Sequence, residues 1–306
     1  MSNPDCLTLD PILSDEEIKS HAGQAFSKND FSLLIQKDTD AFTPNGLLIF
    51  SFRKNVIPKH LSELGTQVLL YDTQRKTTTS RGYASGKVDL SKFSKNVIEL
   101  LDTDKVKSRV RFSDGRTSTY KLCNKTHSMI SGYIDGKALN DYKLYKNPTD
   151  VKGRPTAFTS KNPQDWASFV PLVQHADRLF KSLYTEQYNI QKKQLEKCPY
   201  IIADTVFTTV TTNWNFRTHL HKDKGNLKDA YSAFFVCENN PSDKPKWHGA
   251  YLGYPQYDVA VDVREGDFLL MNPHLYHCNT EFEFPNGEPE SYDRLSFVLY
   301  ARQKLI

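Results

Sequence analysis

Residues 205–238 read TVFTTVTTNWNFRTHLHKDKGNLKDAYSAFFVCE. Two runs rich in β-branched and aromatic residues, 205–213 and 231–238, flank a polar stretch with no helix between them. Further short β segments follow at 251–252, 259–263, 268–271 and 295–301, each set off by turn residues. Many short strands without intervening helices argue for a barrel or double-sheet jelly roll and against a parallel sheet. The predicted fold is therefore α+β. It has a double-stranded β-helix of jelly-roll, cupin-like form over 200–302, with a helical and mixed N-terminal buttress.

Upstream of this β-rich region lies the clearest helix pattern. In 165–193 the residues Trp166, Phe169, Val170, Val173, Phe180 and Leu183 recur at spacings of three, four and seven, one apolar stripe on a 3.6 period. Its far end, 187–197, is mostly polar and is predicted to project or turn. Ser14 with Glu17 forms a capping-box start for a first helix running toward Phe26. GLLIFSF at 46–52 reads as a short buried strand, and 62–71 as a helix end followed by a strand over 68–71. Asp114-Gly115 between two alternating segments of 110–120 predicts a hairpin. Residues 135–161, rich in Gly, Pro and Asn, read as an irregular connection. No internal repeat is visible, and 1–130 and 131–306 are expected to form one compact unit.

Composition bounds the rest. The chain has 306 residues, 38% hydrophobic and 25% charged, an ordinary globular balance that excludes collagen-like and low-complexity readings. There is no run of about 18 apolar residues, so no membrane-crossing helix is predicted, and the polar, acidic first 20 residues do not read as a secretion signal. Five cysteines, an odd number and never in Cys-x-x-Cys spacing, suggest a reducing compartment. An intracellular location is expected: the nucleus in a eukaryote, the cytoplasm in a bacterial or phage setting. Net charge is only +4, but 71–130 carry 13 Lys and Arg against 6 Asp and Glu. A local excess of that kind marks either a solvated surface or a face that tracks phosphates.

The polar stretch and the strand ends carry the chemistry. His219-Leu220-His221-Lys222-Asp223 follows one strand, and His274-Leu275-Tyr276-His277 follows another. In an extended segment residues i and i+2 point to the same side, so His221 and Asp223 are placed to share one metal ion. A third ligand, His277, arrives from a neighbouring strand end. Two imidazoles and one carboxylate are the facial triad of non-haem Fe(II) sites, which leaves coordination positions open. Parity also puts His219 on this face, as a ligand in competition with Asp223 or as a group behind the ligands. Arg294 and Ser296 share one face of the last strand, a guanidinium fork plus a hydroxyl suited to a carboxylate. 2-Oxoglutarate fits that arrangement, its ketoacid end on iron and its far carboxylate on Arg294 and Ser296, with O2 taking the remaining position. Asn213 and Arg217 flank the triad segment. They are candidates for contact with the co-substrate or with substrate, or for plain strand-edge hydrogen bonding.

NWNFRTHLHKD (213–223), GAYL (249–252), VAVDVREGDFLL (259–270) and HLYHCNT (274–280) together resemble the TET/JBP dioxygenases, especially the J-binding-protein branch. RPTAFT (154–159), Trp166, Tyr188 and Gln191 are similar too. The resemblance covers 132–302 and does not extend to 1–130. This chain has Cys278 where the family usually has glycine after the distal histidine. By position the resemblance makes His221, Asp223 and His277 iron ligands and Arg294 the 2-oxoglutarate anchor. It implies an iron- and 2-oxoglutarate-dependent dioxygenase core over 131–306 that hydroxylates the 5-methyl group of 5-methylcytosine or thymine in DNA. Such a base is flipped out of the duplex to be reached. Residues 1–130 then become a mixed α/β, basic region with Arg109, Arg111 and Arg116 as candidate DNA contacts. A monomer is expected. The competing readings are a hydroxylase of protein side chains or small molecules on the same scaffold, use of ascorbate in place of 2-oxoglutarate, and an inactive module that binds modified bases.

Overall fold

Along the last strand, Arg294, Ser296, Val298 and Tyr300 alternate with Leu295, Phe297 and Leu299, and the two sets face different worlds. Leu295, Phe297 and Leu299 join a large apolar core shared with helices, whereas Ser296, Val298 and Tyr300 line an internal cavity. That alternation is the period-2 signature of a strand whose two faces are both buried. The computed structural model describes residues 3–102, 107–136, 152–239, 247–284 and 292–306. Most of the connection read from the sequence at 135–161 lies outside them.

In chain order the first half contains β1 (Asp5–Thr8), α1 (Asp15–Ser20), β2 (Leu33–Ile35), β3 (Thr39–Phe42), β4 (Leu48–Arg53), α2 (Lys59–Arg75), β5 (Thr77–Thr78), α3 (Lys95–Ile98), β6 (Lys107–Arg111), β7 (Thr117–Lys121) and β8 (Thr126–Asp135). The second half adds β9 (Gly153–Pro155), α4 (Ala157–Lys161), α5 (Pro163–Leu183), α6 (Thr185–Gln194), β10 (Thr209–Trp214), β11 (Ser232–Asn239) and β12 (His248–Gly249). It closes with β13 (Leu252–Tyr254), β14 (Val259–Val261), β15 (Phe268–Met271), β16 (Cys278–Asn279), β17 (Phe282–Glu283) and β18 (Asp293–Tyr300). The large sheet runs β1-β3-β4-β15-β11-β18-β10-β8-β5, with β9 added beside β8, and a smaller sheet runs β16-β13-β14-β2. Phe50, Phe52, Phe234 and Leu269 of the large sheet pack with Leu252, Tyr254, Val259 and Val261 of the small one. Two sheets closed around one interior form the double-stranded β-helix. Its outer face is covered by α2, α5 and α6.

The barrel is not confined to 200–302. β4 pairs antiparallel with β15, and β2 pairs parallel with β14, so strands from the first 60 residues complete both sheets. Local patterning does not reveal such long-range pairings.

Several local readings change. The expected strand at 68–71 lies within α2. Leu61, Gly65, Leu69 and Thr73 are buried at four-residue steps, and a short apolar run such as VLLY continues that stripe as readily as it forms a strand. Gly65 allows the close approach, since a Cβ there would meet Leu172 at 3.0 Å and Cys237 Sγ at 3.3 Å. The first helix ends at Ser20 rather than near Phe26, with the Ser14–Glu17 capping box intact. The pattern at 165–193 divides at Tyr184, whose φ of −147° and ψ of 66° break it into α5 and α6. The polar α6 turns back onto the core. Gln191 Nε2 donates to the Val206 carbonyl at 2.9 Å, Gln191 Oε1 accepts from Tyr231 N at 3.0 Å, and the Tyr188 hydroxyl donates to Asp177 at 2.9 Å. The hairpin at Asp114-Gly115 forms as β6–β7.

Candidate active site

β10 ends at Trp214, and Asn215 then adopts a positive φ of 41° that turns the chain toward the barrel mouth. After a bend at Leu220, His221 forms an isolated antiparallel bridge with His277: each amide donates to the other's carbonyl at 3.0 Å. This bridge fixes the two imidazoles with ring centres 4.4 Å apart. Asp223 lies beside both, its carboxylate oxygens 3.5 Å from His221 Nε2 and 3.9 Å from His277 Nε2. One ligand atom from each of the three residues lies within 4.8 Å of the others.

Proton placement suits a cation. His221 Nδ1 bonds the His219 carbonyl at 2.8 Å, and His277 Nδ1 bonds the Leu275 carbonyl at 2.9 Å. A carbonyl only accepts, so each Nδ1 carries a proton and each Nε2 is left as the nitrogen that a metal would bind. Burial, together with the neighbouring His221, pushes the His277 pKa down to about 4, which keeps that imidazole neutral. Burial alone would raise the Asp223 pKa, but its contacts with His221 and His277 and the Arg81 charge hold it well below the usual carboxylate range. Two imidazoles and an ionised carboxylate are the donor set for a divalent first-row metal.

The triad opens on a cavity of about 860 Å³, lined also by Asn213, Ser296, Thr211, Phe234, Tyr300 and Arg81. Asn213 Nδ2 donates to Ser296 Oγ at 3.3 Å and Asn213 Oδ1 accepts from Ser128 at 2.8 Å, so Asn213 faces the interior. Beyond Ser296 on the same face, Arg294 is only 2% exposed. Its guanidinium lies 5.7 to 5.9 Å from the ring centres of Trp247, Phe282 and Phe234. Among the described residues its Nε and Nη2 have no hydrogen-bond partner. Burial pushes its pKa down to about 10, which still leaves it charged at neutral pH. A buried cation with free donors is costly unless an anion joins it, and a carboxylate supplies the missing acceptors.

Other residues singled out in the sequence are placed elsewhere. Arg217 does not line the cavity: its Nη2 donates to the Phe26 carbonyl at 2.7 Å and to Glu281 at 3.4 Å. The turn at Asn215 swings it onto the N-terminal segment. The bend at Leu220 likewise parts the His219 ring from the triad, and it packs over Gly86. His219 serves through its carbonyl instead. Cys278 is fully buried, its Sγ 3.8 Å from the Gly253 carbonyl, so a residue larger than glycine is accommodated here. Arg109 and Arg111 project from one exposed face of the β6–β7 hairpin, whereas Arg116 is tied to Asp114 at 2.6 Å. Tyr300 and Arg302, which line the cavity, extend the parity of Arg294 and Ser296, and that signal was available in the sequence. Arg81 carried no such signal.

A double-stranded β-helix with two imidazoles and a carboxylate at its mouth, and a buried arginine within, defines an iron-dependent oxygenase scaffold with a carboxylate-bearing co-substrate. Residues 137–303 match Tet_JBP, the oxygenase domain of the 2OGFeDO superfamily, and the chain belongs to this family of iron- and 2-oxoglutarate-dependent oxygenases. The bifunctional helicase and thymine dioxygenase JBP2 of Trypanosoma brucei brucei (strain 927/4 GUTat10.1) is 33% identical over 172 residues, 55% of this chain and 15% of that protein. Thymine dioxygenase JBP1 of Crithidia fasciculata is 30% identical over 178 residues, 58% of this chain and 20% of that protein. The chain thus spans a fifth or less of the length of these relatives. The solved structure of NgTET1 in complex with 5mC DNA shares the fold, with a TM-score of 0.52 over 95% of this chain and 92% of that one, at 13% identity.

Proposed function

We propose that the chain hydroxylates the 5-methyl group of a pyrimidine in DNA, thymine ahead of 5-methylcytosine, using Fe(II), 2-oxoglutarate and O2. The observation that carries this reading is the pairing, in one barrel, of the His221–Asp223–His277 cluster, which opens on a cavity of about 860 Å³, with a buried Arg294 whose Nε and Nη2 have no hydrogen-bond partner among the described residues. That volume accommodates a flipped base beside a co-substrate. The thymine preference follows the sequence relatives, both named as thymine dioxygenases. The second reading, 5-methylcytosine, is supported by the DNA held in the NgTET1 structure.

His221 Nε2, His277 Nε2 and an Asp223 oxygen would hold the iron, and Arg294 with Ser296 the far carboxylate of 2-oxoglutarate. When bound, the iron with O2 and 2-oxoglutarate supplies the oxidant that turns a methyl into a hydroxymethyl group, with release of succinate and CO2. The chain's own task is positioning. The His221–His277 bridge fixes two ligands on one rigid element, and the Nδ1 hydrogen bonds prevent ring rotation. Phe234, Leu252 and Met271 give the cavity an apolar wall against which a methyl group can pack. Free thiols at all five cysteines, four of them buried, support an intracellular, reducing setting.

The test is 2-oxoglutarate consumption measured with a thymine-containing duplex, a 5-methylcytosine duplex and a peptide pool, with ascorbate substituted in a parallel series. Stimulation by DNA alone is expected. Stimulation by peptides alone would move the substrate out of nucleic acid.

The β6–β7 hairpin is the proposed backbone contact. Lys107, Arg109, Arg111 and Lys121 share its exposed face, and Lys107 stands directly across from Lys121. Like charges opposite each other weaken a hairpin, so a face built this way suits a polyanion. The double change Arg109→Glu and Arg111→Glu is expected to weaken duplex binding and to shrink the slope of log affinity against log salt by about two. Arg116→Ala should do less, because Asp114 already neutralises it. An unchanged salt slope in the double variant would remove the hairpin from the interface.

A further inference from the structure

Three buried donors at one end of the barrel have no partner among the described residues: Nε and Nη2 of Arg294, and Nε1 of Trp247. Both side chains are 2% exposed, and the guanidinium carbon lies 5.7 Å from the Trp247 ring centre. A buried indole N–H ordinarily finds an acceptor. Here the walls around it are Arg294, Phe282 at 5.8 Å between ring centres, and the buried Ala250 and Tyr292.

Trp247 is also held firmly from behind. Arg264 lies 4.1 Å from its ring centre, is paired with Asp262 at 2.5 Å, and donates to the carbonyls of Trp247 and Gly249 at 3.4 Å. The second Asp262 oxygen accepts from Gln36 at 3.1 Å. Two guanidinium groups therefore lie near the Trp247 ring, one paired with Asp262 and one with open donors. Two cations close to one indole favour an anion at this end of the barrel.

We propose that the Trp247 indole N–H donates a hydrogen bond to the same far carboxylate that Arg294 anchors, which makes Trp247 a specificity-determining residue for a dicarboxylate co-substrate. The inference rests on the reading of Arg294 as that anchor. A carboxylate offers about four acceptor positions. The guanidinium fork takes two, leaving room for the indole and the Ser296 hydroxyl. A keto acid without the second carboxylate would leave all three buried donors unpartnered, and a site of that kind rejects it.

Trp247→Phe retains an aromatic ring against Arg264 and removes the donor. The full chain loaded with Mn(II) is titrated calorimetrically with 2-oxoglutarate, and its Mn(II) affinity is measured separately. The dissociation constant for 2-oxoglutarate is expected to rise about tenfold, the scale of one hydrogen bond to a charged group, with Mn(II) affinity unchanged. An unchanged constant for 2-oxoglutarate overturns the proposal, as does an equal loss of Mn(II) affinity, which marks a structural role only. Arg294→Met separates the two levels. If it binds 2-oxoglutarate as the wild type does, the anchor reading falls and the Trp247 role with it. If it loses binding while Trp247→Phe does not, only the Trp247 role falls.

Discussion

Replacing Asp223 by alanine is expected to abolish iron-dependent turnover, by roughly 10³-fold or more, since several kcal/mol of metal-derived stabilisation are at stake and each 1.36 kcal/mol is tenfold in rate. Asp223 supplies the only carboxylate of the cluster, and its pKa is held below the ordinary range by the two histidines and Arg81. His221 and His277 remain fixed without it, because their backbones pair with each other and their Nδ1 atoms bond backbone carbonyls. The variant should therefore melt close to the wild type while its Fe(II) affinity collapses. Consumption of 2-oxoglutarate at the wild-type rate by Asp223→Ala would show that the metal is held elsewhere.

Arg294→Met is expected to weaken co-substrate binding strongly while leaving stability nearly unchanged. The buried guanidinium has aromatic rings at 5.7 to 5.9 Å but no hydrogen-bond partner for Nε or Nη2 among the described residues. At a desolvated site rings at that range return about 2 kcal/mol or more each. Desolvation of a buried ion costs several kcal/mol, so the two terms roughly offset. Methionine, an apolar side chain of similar reach, should leave the stability of the ligand-free chain within about 1 kcal/mol of wild type in a denaturant titration. The same change should weaken 2-oxoglutarate binding by about 10²–10³-fold, because the far carboxylate would be buried opposite nothing. A purely structural arginine would show the reverse pattern: lower stability and unaltered affinity.

Which features were legible in the sequence follows from how local their causes are. His221 and Asp223 were found because two-residue parity acts within one short segment, and Arg294 with Ser296 for the same reason. Parity failed for the His219 ring, which the bend at Leu220 parts from the triad, and the flanking position of Arg217 did not reveal the turn at Asn215 that carries it away. The 68–71 run was misread because four apolar residues satisfy a buried strand and a helical stripe equally, and only Gly65 packing on Leu172 decides between them. The pairings of β4 with β15 and β2 with β14, and the contact of Trp247 with Arg294, join residues far apart in the chain. No periodicity encodes such contacts.

The most direct measurement is mass spectrometry of nucleosides after incubation of thymine- and 5-methylcytosine-containing duplexes with Fe(II), 2-oxoglutarate and either wild type or Asp223→Ala. A 5-hydroxymethyl nucleoside is expected with the wild type, dependent on both additions, and none with the variant. Succinate accumulating while every methylpyrimidine stays intact, or a hydroxymethyl product that survives Asp223→Ala, would contradict a His221–Asp223–His277 centre acting on DNA.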